Sequence, residues 1–351
     1  MIFFRPYGDI TVAPTPRTDA DSALYVFLSE KLGADISVSA DIDYEDWMEP
    51  AAMLAGALKS GYAVNVLPST SLLEAVKNPI FSAPGQATPP ILIGRTKTMD
   101  DVHIKSLGFA WPLPDNDTAN RYGELAAFNK HAGRRTQLAH FPGEEGRTRG
   151  LLGNAAPGLD IDDAMTLFDE NLIIKQVRPA KSFPVFKAQK EGRTGSTILF
   201  DKMEYHACRF EGEQNALLLQ DVIDMRFEAR LFVINGHVVT GAGIVEENTP
   251  QQNQDPLFDP TFETRRNDGS RTQNPELAQK YLRAGEAIAQ EILEESGFST
   301  YVLDLALNED DEVIVIELNP IAQSGLYAIN APQLVNAIVA HTQTVSGQTH
   351  D

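Results

Sequence analysis

Two apolar runs near the end of the chain, Thr300–Leu307 (TYVLDLAL) and Glu312–Leu318 (EVIVIEL), constrain the fold most. Their length and content of Val, Ile and Leu predict two buried strands, joined by the acidic turn Asn308–Asp311. Each nevertheless carries a polar group where a purely structural strand has no need of one. Positions i and i+2 of a strand point the same way, so Glu317 and Asn319 share a face, and Asp304 joins them if the strands pair. Two carboxylates and an amide oxygen are hard ligands suited to Mg²⁺ (or Mn²⁺), which keeps its other positions for water and phosphate. The alternative is that these residues merely interrupt or end buried strands.

A second run, Met225–Val233 (MRFEARLFV), places Glu228 and Arg230 on one strand face. They are read either as a structural ion pair or as a catalytic set in which Arg230 faces phosphate or a developing acyl phosphate, whose oxygens its planar fork matches. Arg226–Ile234 and Val238–Ala242 form an expected hairpin about Asn235-Gly236, the preferred type I′ dipeptide.

Upstream, residues 1–110 alternate apolar and amphipathic stretches: strands at Met1–Arg5, Ala63–Leu67 and Pro90–Gly94, helices at Asp21–Leu32, Ala51–Ser60 and from Pro68-Ser69-Thr70 through Val76. Such alternation predicts a small α/β lobe with a parallel sheet. Residues 111–159, rich in Gly, Pro, Asn and Arg, read as a linker holding one helix, Tyr122–His131. A helix at Asp160–Phe168 and strands at Asn171–Val177 and Ala216–Ile223 follow. Glu246–Pro275, polar and rich in Gln and Asn, reads as a long loop or lid. Arg265 and Arg266 within it are candidates for a substrate carboxylate, or simply solvated. Glu276–Ser296 is a helix capped by Gly297, and Gln333–His341 is the last.

The 351 residues exceed a usual single domain, and 42% hydrophobic content supplies proper cores. With 29 Lys+Arg against 49 Asp+Glu the formal charge is −20, which disfavours nucleic acid and anionic lipid as partners. Cys208 is the sole cysteine, so neither an intrachain disulfide nor a cysteine metal cluster forms. The seven histidines are scattered with no i,i+4 pair. The opening apolar run is too short for a signal sequence and no stretch is long enough to span a membrane, so the expected location is the cytoplasm.

In order, the strand lysine, Gln220-Asp221-Val222-Ile223, Glu228-x-Arg230, Asp304 and Glu317-Leu-Asn319-Pro320 resemble the ATP-grasp superfamily. Lys175…Lys181-Ser-Phe183 and the stretch Ser324-Gly325-Leu326-Tyr327 resemble its arginine-and-two-lysines clade, frequent in phage and bacterial genomes. The match covers roughly residues 160–340. The resemblance implies an α/β N-terminal lobe followed by an α+β ATP-grasp fold, with subdomains at 160–223 and 224–345 sandwiching ATP and a lid at 246–275. It implies that Lys175 and Lys181 hold phosphates and that the backbone near Gln220, Asp221 and Val222 reads adenine. Asp221 would hold the ribose or the adenine amine. Asp304, Glu317 and Asn319 would take the metals, and Arg230 the transferring phosphate. Two departures stand out: the Gly-rich candidate Lys187–Ser196 comes later than the pattern has it, leaving Lys187 as the alternative strand lysine, and Val302 occupies a position where many ligases have Arg, so Arg230, Arg226 or Arg178 must supply that charge.

The implied activity is a carboxylate–amine ligation through an acyl phosphate, on small-molecule or peptide substrates, with a homo-oligomer left open. A small-molecule kinase and a catalytically silent nucleotide-binding interaction protein are the competing readings.

Overall fold

The computed structural model describes residues 2–5, 9–66, 91–94, 122–140, 159–176, 185–195, 197–198, 201, 216–264, 269–321 and 324–347. The expected helix through Val76, Lys181, Arg178, Cys208, Arg265 and Arg266 lie outside them.

In the N-terminal lobe, β1 (Ile2–Arg5) lies between β4 (Val64–Val66) and β5 (Ile91–Gly94), parallel to both, as the strand–helix alternation predicted. A short parallel pair, β2 (Val12–Ala13) and β3 (Ser37–Val38), flanks α1 (Asp19–Leu32). Thr18 opens α1 with a reciprocal capping box to Asp21, and Gly33 closes it in the left-handed conformation at φ 64°. Helix α2 spans Tyr44–Lys59, so it begins well before the expected Ala51. Asp43 caps it by accepting from the Asp46 N–H at 3.0 Å, and the helix continues through Pro50. An interior proline ordinarily costs a helix about 3 kcal/mol; here the buried residues Trp47 and Met48 before it and Ala51 to Ala57 after it hold the helix together.

The second sheet runs β7 (Leu159–Asp160), β6 (Thr136–His140), β10 (Ala216–Asp221), β8 (Asn171–Gln176), β9 (Phe186–Gln189). Strand β6 corrects the reading of residues 111–159 as a linker, because it pairs antiparallel with β10 through Gln220↔Thr136. Its sequence, TQLAH, is too polar to stand out as a strand; pairing on a sheet supplies what propensity does not. The predicted helix there divides into a 3₁₀ turn at Tyr122–Glu124 and α3 (Ala126–His131). Leu172, Ile174, Ala188, Leu217 and Leu219 form one core with α4 (Ile161–Met165). Alternation therefore puts Ile173, Lys175, Lys187, Leu218 and Gln220 on the opposite face.

The third sheet runs β13 (Phe258–Asp259), β12 (His237–Gly243), β11 (Arg226–Ile234), β16 (Tyr301–Leu307), β17 (Val313–Asn319). The β11–β12 turn has Asn235 and Gly236 at φ 57° and 75°, as a type I′ turn requires. One face packs Leu231, Val233, Leu303 and Leu305 against α5 (Pro275–Ser296), which Gly297 caps at φ 70°. The other packs Phe232, Ile234 and Val302 against α2 and α6 (Ala331–Gly347). The segment read as a loop at 246–275 is instead largely folded. It contains a 3₁₀ turn at Pro250–Gln252, strand β13, and the pair β14 (Thr261–Glu263) and β15 (Arg271–Gln273). Buried Phe258 and Phe262 pack with Tyr281 of α5, which outweighs the polar composition around them.

Candidate active site

The pairing of β16 with β17 sets Asp304 opposite Glu317 and Val302 opposite Asn319. A register shift beyond Asp304 sets Leu305 opposite Val315, leaving Ile316 as the extra residue, which re-aims the strand at the site. Arg230 lies opposite Asp304 on the other side, in the β11–β16 register. Four side chains foreseen from sequence thus converge on one face. Arg230 grips Asp304 bidentately, Nε to Oδ1 at 2.8 Å and a terminal nitrogen to Oδ2 at 2.7 Å. Asn319 donates its amide to Asp304 Oδ2 at 3.0 Å and to Glu317 Oε1 at 2.9 Å.

Lys175 reaches this set from the second sheet. Its Nζ donates to the Ile316 carbonyl at 3.2 Å and lies 3.4 Å from Glu317 Oε2, over the Tyr122 ring at 5.2 Å. The side chain is buried. Burial, aided by the Glu317 carboxylate, pushes the Tyr122 hydroxyl well above its ordinary pKa, so the ring beneath the lysine is neutral. Burial works against the Arg230 charge, yet the Asp304 carboxylate more than offsets it and holds the guanidinium above its usual value.

Lys187 shares the Lys175 face but is exposed at the far strand. The basic groups of the Gly-rich stretch are engaged locally: Lys190 with the Phe168 carbonyl, Arg193 with Asp201 at 3.2 Å. Arg226 points to the far turn, donating to Asn308 O at 3.0 Å and Asp311 at 2.9 Å. Glu228 follows Phe227, a residue at φ 55° in a β-bulge, and borders a shallow recess with Met225, Ile244, Glu246 and Glu263.

Gln220 is buried on β10. With its amide turned so that oxygen faces Arg134, it accepts from that guanidinium at 2.9 Å. Both oxygens of Asp221 accept from Arg135, at 2.7 to 3.1 Å. These hydrogen bonds hold the Asp221 carboxyl below the usual carboxylate range. This is the residue expected to hold the ribose or the adenine amine; here its side chain pairs with Arg135. Exposed Val222 begins the connection from β10 to β11, which joins the two sheets.

Two residues were missed. Arg134 bridges the sheets, donating to Val315 O at 3.0 Å and Ile316 O at 3.1 Å as well as facing Gln220. Glu49 of α2 accepts from the Leu326 N–H in the turn after β17. Neither belongs to a recognisable motif; Gly133-Arg134-Arg135 reads as an ordinary basic loop.

The donor set fits a hard divalent cation in kind: two carboxylates and an amide oxygen. Among the described residues no three His, Cys, Asp and Glu side chains converge as ligands, so Asn319 would be needed to complete the set.

Residues 169–337 match the model of an ATP-grasp domain family, the second family of the clade named for an arginine and two lysines. This segment is an ATP-grasp domain. The fold is accordingly an α/β lobe followed by the two α+β halves of the ATP-grasp architecture. No curated protein sequence is matched. Similar solved structures include a RimK domain ATP-grasp protein from Sphaerobacter thermophilus, with 14% identity, TM-score 0.42 and coverage of 86% of this chain and 97% of that one. D-alanine–D-alanine ligase from Bacillus anthracis complexed with ATP has 11% identity and TM-score 0.48, covering 99% of both chains. D-cycloserine synthetase DcsG has 12% identity and TM-score 0.46, again covering 99% of both. Among the described residues no helix of the ATP-grasp domain or its N-terminal lobe is long and apolar enough to cross a membrane.

Proposed function

We propose that this chain is an ATP- and Mg²⁺-dependent ligase that joins a carboxylate to an amine. The observation that supports it most is the convergence of Lys175, Arg230, Asp304, Glu317 and Asn319 where the two sheets of the ATP-grasp domain meet. Asp304, Glu317 and Asn319 would hold the metal, and Mg²⁺ or Mn²⁺ when bound supplies charge neutralisation to the phosphate oxygens. Lys175, with Lys181 or Lys187, would hold the ATP phosphates, and the backbone of Gln220–Val222 would read adenine.

In this reading a substrate carboxylate oxygen attacks the γ-phosphorus, the bond to the β-phosphate oxygen breaks, and ADP leaves. The amine nitrogen then attacks the acyl carbon, the C–O bond to phosphate breaks, and the amine proton passes to solvent. Arg230 stabilises charge on the transferring phosphoryl group, and Glu228 at the start of the same strand is assigned to the acceptor side. Preorganised cations do most of such work, since little covalent help is needed.

The test is ADP release on pools of amino acids and peptides, with mass spectrometry of the products. A Mg²⁺-dependent amide product is expected, lost in Glu317→Gln with the fold retained. A stable phosphorylated product without an amide would make the protein a kinase. Nucleotide binding without turnover would leave a catalytically silent interaction protein.

A further inference from the structure

The catalytic face is built from the ATP-grasp sheets, but one contact reaches it from outside. Glu49, on α2 of the N-terminal lobe, accepts a hydrogen bond from the Leu326 N–H. That N–H belongs to the turn Ser324–Tyr327, a few residues beyond the end of β17 at Asn319. The carbonyl one residue earlier, Gly325 O, accepts from the Arg230 terminal nitrogen at 3.2 Å. The other arm of Arg230 holds Asp304. The turn itself is tight: Tyr327 sits at φ 49°, a left-handed conformation costly for a non-glycine residue, with its ring 5.2 Å from the Arg230 guanidinium. A Cβ on Gly325 would stand 3.2 Å from Glu49 Oε1 and 3.6 Å from Arg230, so the carboxylate and the guanidinium flank the same residue.

Resting on the ligase reading above, we propose that Glu49 is a positioning residue: the N-terminal lobe sets the catalytic arginine by holding the Leu326 N–H. A carboxylate accepting from a backbone N–H makes a charge-assisted bond, stronger than a neutral one. It fixes a turn whose own backbone is strained, and the turn fixes one end of Arg230. Without it, Arg230 keeps Asp304 but loses the second constraint that aims its fork. Small misplacement of a group at the reacting centre costs about 10²-fold in rate. Nucleotide binding is expected to draw chiefly on Lys175 and β10, on the second sheet, rather than on this turn.

The experiment compares wild type, Glu49→Ala and Glu49→Gln in the full chain. It reads hydrogen exchange across residues 324–327, and kcat and KM for ATP in Mg²⁺-dependent ADP release. In Glu49→Ala, exchange at Leu326 should rise about tenfold or more and kcat fall about thirtyfold, with KM for ATP within about threefold. Glu49→Gln keeps an oxygen acceptor and should recover most of the protection and at least a third of the lost rate on a logarithmic scale. Unchanged exchange in Glu49→Ala overturns the anchor. A parallel loss of ATP affinity, or a Gln variant no better than Ala, reduces Glu49 to a fold contact and overturns the positioning role. If wild type releases no ADP in any pool, the ligase reading fails, and the exchange measurement alone decides whether Glu49 holds the turn.

Discussion

Replacing Arg230 with methionine keeps much of its volume and removes only its charge and hydrogen bonds. The Arg230 side chain is 11% exposed and that of Asp304 4%. The variant therefore leaves a carboxylate in a nearly dry site. Breaking such a pair from one side costs about 3–5 kcal/mol. Asn319 still donates to Asp304 at 3.0 Å, so the lower end is expected, about 3 kcal/mol, or a fall in Tm of about 4 °C for a chain of this size. The double change Arg230→Met with Asp304→Leu removes both charges and should recover most of that loss, since an apolar pair of similar volume replaces a buried ion pair at little net cost. Urea unfolding at pH 7 with metal chelated measures each state, and millimolar Mg²⁺ is then added back. The ion should stabilise Arg230→Met more than wild type, because a cation returns beside Asp304, and it should leave the double variant unmoved. A loss below about 1 kcal/mol for Arg230→Met would refute the reasoning that the pair is desolvated. Equal Mg²⁺ stabilisation of all three proteins would refute the metal assignment.

Lys175→Met should abolish the thermal shift produced by MgADP, and a shift retained in Lys187→Ala assigns the second phosphate lysine to Lys181, a shift lost there to Lys187; at a hundredfold excess over Kd the wild-type shift corresponds to about 2.7 kcal/mol. Gly243→Ala should destabilise the fold by about 1–3 kcal/mol in urea titration, because a Cβ there overlaps the Thr261 carbonyl and the Phe262 ring; a neutral outcome would mean that 258–263 is not packed on β12. The Asp221 carboxyl is depressed in the fold, so its contribution is present above its unfolded pKa of about 3.9 and is lost as pH falls through the lower folded value. Asp221→Asn should accordingly flatten the acid limb of a stability-against-pH curve below about pH 4. His341 titrates higher up: burial depresses its pKa, so stability is complete above its ordinary value of about 6.5 and declines below it, and His341→Gln should remove that slope in the same curve.

The face that carries Asp304, Glu317 and Asn319 was legible because a strand alternates with period two, so Glu317 and Asn319 had to share a side and only pairing was needed to add Asp304. The hairpin was legible because Asn-Gly states its own turn. Elements that failed to show did so for identifiable reasons. Pro50 hid the first turns of α2, whose stability comes from buried contacts rather than propensity. Strand β6 is half polar, and Phe258 and Phe262 are two rings in a segment otherwise rich in Gln, Asn and Asp. Arg134 and Glu49 were invisible in a stronger sense. The first meets its carbonyl 181 residues away and the second its N–H 277 residues away, and no local pattern records a contact of that range.

The two carboxylates of the centre are not held alike, and the difference bears on how the site would receive a polyanion. Asp304 is gripped through two short hydrogen bonds by an arginine of its own sheet, and a further bond from that arginine to Gly325 O fixes it in place. Glu317 meets its lysine at a single longer distance, 3.4 Å, across the junction of two sheets. A bidentate guanidinium pair is the costlier to break, because its geometry and its charge are lost together. A lysine ammonium is a point charge on a flexible stem and can exchange one oxygen for another with little reorganisation. On the ligase reading, arrival of phosphates with a divalent ion would therefore move Lys175 first, from Glu317 to phosphate, while Arg230 stays with Asp304. The second sheet supplies the adaptable charge and the third the fixed one, which gives a physical reason for placing them on different halves of the domain.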